Sequence, residues 1–140
     1  MPYVSGKLGE VISQYMDEAN KLYFTGDISG ALSTFEKAWD ALPNEKYQYD
    51  ESYLIVWSIL SIAFKTDDIA LMNRWIKHIF LADPERADCG EREMWAARVA
   101  LASGKKDEAF RYAIIAGQKS HGRCFEAQDK ELKKAYMKSK

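Results

Sequence analysis

The side chains in this sequence able to act as a nucleophile and its base are Cys89, Cys124, His78 and His121. A thiol attacks a carbonyl only once a neighbouring base takes its proton, and such partners meet in the fold rather than along the chain. No local signature accompanies these four. His121 and Cys124 stand at a helical i, i+3 spacing but have no evident third ligand, too few for a metal site. The acidic groups Asp67-Asp68, Asp107-Glu108 and Glu91-x-Glu93 each fall where a helix is expected to begin. There the helix dipole accounts for them without acid–base catalysis. Ser5-Gly6-Lys7-Leu8 lacks both the upstream glycine and the hydroxyl residue that a phosphate-cradling loop requires. The expectation is no enzyme, no metal and no cofactor.

The elements that would hold any site must come from 140 residues, 47% hydrophobic and 29% charged, with 8 Gly and 3 Pro. That composition excludes collagen-like and disordered classes and suits one globular domain over residues 1–140. Met1 to Glu10 contains no apolar stretch behind a basic start, so the expected location is cytoplasmic. Two cysteines are too few for a disulfide framework, so free thiols in or near the core are expected. The most apolar run, Tyr53 to Phe64, is interrupted by Ser58 and Ser61 and is too short to cross a membrane, so it reads as a buried helix. Charge is uneven: residues 1–70 carry about −6 and residues 71–140 about +5. Such polarity would steer a basic partner to the first half and an anionic one to the second, or bring two copies together head to tail as a homodimer.

No segment alternates apolar and polar residues between turn signals, whereas apolar residues recur at helical spacing throughout. Val11, Tyr15, Ala19, Leu22 and Tyr23 form one stripe, and Ile28, Leu32, Phe35, Ala38, Trp39 and Leu42 a second. Between them Thr25-Gly26-Asp27 offers a glycine able to take positive φ and an aspartate able to cap the next helix. The pattern returns with a shift of 41, placing Ala31 over Met72, Phe35 over Ile76, Ala38 over Ile79 and Pro43 over Pro84. A third copy turns at Ser103-Gly104 and keeps Ala97, Ala109, Ala113 and Ala116; Asp88 and Glu91 have the spacing of a capping box at its start.

The run Tyr15-x2-Glu18-Ala19-x2-Leu22, Gly26, Ala31-x3-Phe35, Ala38 and Pro43 resembles a tetratricopeptide repeat. The resemblance is full in the first unit and looser in the next two. The second has Leu60 and Met72 in place of the small residues, and the third has His121 where the family has proline. It implies an all-α fold, a right-handed superhelix of about three antiparallel helix pairs at residues 12–45, 53–86 and 90–121. A capping helix at 124–138 carries Lys130, Lys133, Lys134 and Lys138 on its outer face. Extra residues are expected in the connections at 44–49 and 86–90.

The resemblance further implies that the first helix of each pair lines a concave surface. That surface would receive Met16, Asn20, Tyr23 and Phe24, then Trp57, Ser61 and Phe64, then Met94, Trp95, Arg98 and Leu101. The family's two-carboxylate clamp for chaperone tails is not present: only Asn20 matches, with Met16, Ser58, Glu91 and Trp95 at the other positions. The expected function is therefore non-enzymatic binding of one protein or peptide partner. An immunity protein neutralising a basic toxin or a chaperone for a secreted substrate would fit. The alternative is a nucleic-acid-associated regulator acting through the basic second half.

Overall fold

The computed structural model describes residues 2–82 and 87–140. Among the described residues the chain is 77% helix with no strand. Seven α-helices follow in order: α1 (Gly6–Phe24), α2 (Ile28–Ala41), α3 (Asp50–Lys65), α4 (Ile69–Leu81), α5 (Glu91–Ala102), α6 (Lys106–Ser120) and α7 (Lys130–Lys138). Each odd helix packs on the even helix after it, and α2 on α3, α4 on α5 and α6 on α7 join the pairs. The arrangement is compatible with a helical repeat.

The three turns inside the pairs are built alike. After α1, the Asp27 N–H donates to the Leu22 carbonyl and the Gly26 N–H to Tyr23. Asp68 and Asp67 repeat this on Ala63 and Phe64, and Lys105 and Gly104 on Ala100 and Leu101. These paired bonds satisfy carbonyls that a helix end otherwise leaves open. They require a residue at positive φ, found at Gly26 (91°), Asp67 (56°) and Gly104 (80°). Asp67 tolerates that region better than most side chains because its short polar group bonds locally. Asp27 and Asp68 then cap α2 and α4, accepting from the Gly30 N–H at 2.9 Å and the Leu71 N–H at 3.1 Å.

The start of α5 departs from expectation. Its N-cap is Gly90 at φ 84°, with no side-chain cap, so the Asp88–Glu91 spacing does not operate as a capping box. Glycine is needed at this point twice over, because a Cβ on Gly90 would also press within 2.7 Å of the Ala116 carbonyl oxygen. A capping box does occur at Glu126 and Asp129, which bond each other's backbone N–H groups. It shapes residues 124–129 into an extended stretch and a 3₁₀ turn, so the last helix begins at Lys130 rather than at 124. Of the connections expected to hold extra residues, the first contains the 3₁₀ turn Lys46–Gln48. In the second, Ala87 to Gly90 form a turn; Pro84 and the rest of 83–86 lie outside the described residues.

Small residues set the helix spacing. Ala19 and Ala31 in the first pair and Ala97 and Ala109 in the third are fully buried. With Leu60 and Met72 at these places, the second pair packs its backbones less closely. The core is formed by two clusters, one across α1 to α4 and one among α5, α6 and α7. Helix α5 serves both: Trp95 and Val99 face the first, Met94, Ala97 and Ala100 the second.

Four of the eleven acids of the first half have structural roles. Asp27 and Asp68 are caps, Glu36 pairs with Arg74, and buried Glu51 receives the Val4 N–H at 3.0 and 3.2 Å. The Asp50 N–H donates in turn to the Pro2 carbonyl, fastening the N-terminal segment to the start of α3. Cys124 is half-buried, but Cys89 is exposed rather than near the core; neither is in a disulfide.

Helix α7 docks on α6 through Gly117, where a Cβ would overlap the Tyr136 ring. In an open helix Gly→Ala stabilises by about 1 kcal/mol. Here Gly117→Ala is expected to destabilise by about 1–3 kcal/mol, because the buried ring has to be displaced. Urea unfolding checks the sign.

Candidate functional site

One side of the odd-numbered helices opens onto a groove of about 1390 Å³. Helix α1 contributes Asn20, Tyr23 and Phe24, and α3 contributes Trp57, Ser61, Phe64 and Lys65. Helix α5 supplies Met94, Trp95 and Arg98. Spacings of three and four residues bring these side chains to one face of each helix. Met16 and Leu101 do not line the groove; they pack against the first and second core clusters respectively.

Burial divides the lining into floor and lips. Met94 and Trp95 are buried, Tyr23, Ser61 and Phe64 are half-buried, and Asn20 is exposed. Phe24 is 83% exposed and Trp57 42% exposed. The Trp95 ring is the hub of the floor. Trp57 meets it edge-on at 6.3 Å and Phe64 lies at 5.6 Å. The Arg98 guanidinium sits 5.2 Å from its centre. At the other end Tyr23 contacts Phe24 at 6.0 Å, and the Lys65 ammonium lies 5.5 Å over the Tyr23 ring.

Arg98 has a partner inside the protein. Its Nε and Nη2 donate to the two carboxylate oxygens of Asp129 at 3.0 and 2.7 Å. Arg98 is 11% exposed and Asp129 2%, so this is a buried, two-pronged pair. Asp129 also accepts the Glu126 N–H at 2.9 Å. Upstream, buried Glu93 pairs with Lys119, whose ammonium also donates to the Ala87 carbonyl at 2.8 Å. Together the pairs draw the segment from Lys119 to Gln128 against α5.

That segment is the wall missed by reading only the first helix of each pair. Lys119, Ser120, Arg123, Cys124, Glu126 and Gln128 face the groove, opposite α1 and α3 residues. The Ser120 hydroxyl accepts the Cys124 N–H at 3.2 Å and donates to the Ala116 carbonyl at 2.8 Å. A signal for the wall did exist: Glu93 and Arg98 stand among apolar residues of α5, and a buried charge requires a partner. What spacing alone lacked was that partner's position, 31 residues on for Arg98.

Of the candidate chemical groups, Cys89 and Cys124 both line the groove, and burial pushes the Cys124 thiol pKa up, which favours its un-ionised form. Neither His78 nor His121 lines it. His78 lies in a separate aromatic cluster, 5.0 Å from Trp39, 5.1 Å from Trp75 and stacked on Tyr47 at 6.0 Å. The Tyr47 hydroxyl and His78 Nδ1 share a hydrogen bond of 2.7 Å. Among the described residues no group of three or more His, Cys, Asp or Glu is placed to hold a metal, and no helix is long and apolar enough to cross a membrane. No protein-family profile matches the chain, and no characterised protein is similar enough to count as a relative.

Burial, and then the nearby Lys77 charge, lowers the His78 pKa below its ordinary value of 6.5. The unfolded chain therefore binds more protons than the folded one as pH falls through this range. Stability from this group is complete above about pH 6.5 and is lost as pH drops toward the lower folded value. Urea midpoints measured from pH 7.5 to 5 should decline, and His78→Phe should show a shallower decline over the same interval.

Proposed function

We propose that this chain is a non-enzymatic binding module of tetratricopeptide-repeat-like, right-handed superhelical form, and that one protein or peptide partner occupies its groove. The observation that carries this reading is the state of Phe24 and Trp57. Phe24 is left largely to solvent and Trp57 keeps 42% of its surface exposed at the lips of a groove with an aromatic floor, and both offer a partner apolar area. Size supports a polypeptide occupant, since small-molecule pockets run to about 300–1,000 Å³ and this groove is larger. Escort or masking of that partner, as by a secretion chaperone or an immunity protein, is the output such a module provides. A basic toxin would meet the exposed acids of the first half, among them Glu10, Asp17, Glu18, Asp40 and Glu45. The competing reading, a nucleic-acid-associated regulator, rests on the α7 lysines and leaves the groove without a role.

The exposed and buried aromatics give separable outcomes. Phe24→Ala with Trp57→Ala should keep the helical circular dichroism and cost under about 1 kcal/mol per site, as surface changes do. Trp95→Ala should cost about 3–5 kcal/mol, as truncations of buried tryptophan do. A tagged wild-type chain recovered from its native host should carry a stoichiometric protein identified by mass spectrometry, and the Phe24/Trp57 variant should not. Equal recovery by both would reject the groove as the binding surface.

A further inference from the structure

We infer that the partner held in the groove carries an acidic segment next to its apolar anchor, and that this segment lies along the outer face of α7. The inference rests on the groove reading and adds the partner's chemistry. Two observations carry it. Lys130, Lys133, Lys134 and Lys138 are exposed, and none enters an ion pair among the described residues. The exposed acid of the same helix, Glu131, is already taken by Lys106. The lysine face is also continuous with the groove: Gln128 lines it, Asp129 is buried beneath Arg98, and Lys130 opens α7 two residues later. On the way, the exposed wall residues Arg123 and Glu126 offset each other's charge.

Four acids of the first half, Asp27, Asp68, Glu36 and Glu51, cap helices or hold an arginine or a backbone N–H, whereas the lysines of the last helix are left to solvent. Four like charges on one short helix repel one another and weaken it, a cost that an anionic occupant removes. A polypeptide suits this face better than nucleic acid does. Single strands bind where aromatic rings stand among the bases to stack on, and the aromatic of α7, Tyr136, is buried beneath the helix. The outward apolar group is Met137, 51% exposed, which suits an acidic peptide with interspersed apolar side chains.

The test is selection of randomised, displayed peptides on the full chain at low salt. It is repeated on the triple variant Lys133→Glu, Lys134→Glu, Lys138→Glu and on the Phe24→Ala, Trp57→Ala variant. Circular dichroism confirms each fold, and Lys→Gln at the same three positions replaces the reversal if that disturbs the helix. Wild-type binders should combine an aromatic or aliphatic anchor with an adjoining run of Asp or Glu. The lysine variant should select the anchor without the acidic run. A synthetic copy of the best peptide should bind it about tenfold more weakly at low salt, and equally at about 1 M NaCl, where the screening length is about 3 Å. Anchors selected without any acidic run on the wild type would overturn this inference and leave the groove reading standing. Binders indifferent to Phe24 and Trp57, or no enriched sequence at all, would overturn both. A labelled single-stranded oligonucleotide that binds more tightly than the peptide, needs the lysines and ignores the groove would assign α7 to nucleic acid and overturn the inference.

Discussion

Helix α5 has almost no surface of its own to give to water, and the rest of the molecule is arranged to satisfy that constraint. Seven of its twelve residues are buried, on opposite sides of the helix. A helix that buries apolar residues on both sides must be covered on both, and α3 and α4 cover one side and α6 and α7 the other. Of its four charged residues, Glu93 is buried and Arg98 nearly so, and these two are answered by Lys119 and Asp129. Breaking a buried pair of this kind by removing one partner costs about 3–5 kcal/mol. The ties are therefore strong enough to hold the intervening segment, which has little regular structure of its own, against the helix.

The same ties create the groove. Without the segment from Lys119 to Gln128, the inner faces of α1, α3 and α5 would present an open surface. With it, Trp95 and Met94 become a floor, and Phe24 and Trp57 are lips with an opposing wall. The exposed rings lie over the apolar floor, and the basic helix α7 begins two residues beyond Gln128 of the wall.

The helices, their pairing and their turns were legible in the sequence because each rests on local physics. Gly26 and Gly104 mark turns that need positive φ, Asp27 announces a cap, and Ala19, Ala31, Ala97 and Ala109 mark close helix approach. Where volume mattered more than type, the pattern blurred, as at Leu60 and Met72. The candidate site was legible only in outline. Trp57 and Trp95 look equivalent in the chain, yet one is an exposed lip and the other a buried floor, and the difference is set by later helices that cover α5. Arg98 read as a contact residue because its carboxylate, Asp129, is remote in sequence and adjoins a capping box that spacing arguments placed elsewhere, at Asp88. Met16 and Leu101 fell outside because a short stack turns part of each inner stripe into core.

Of the two ion pairs that hold the wall against α5, Arg98–Asp129 fixes its far end. Hydrogen exchange followed by mass spectrometry, on the wild type and on Arg98→Met, tests this most directly. The Cys124, Glu126 and Asp129 amides are bonded to Ser120 Oγ, Asp129 Oδ2 and the Glu126 carbonyl. The account predicts that these amides are protected in the wild type and exchange rapidly in Arg98→Met while α1 to α4 stay protected. Unchanged protection of the segment in the variant would contradict it.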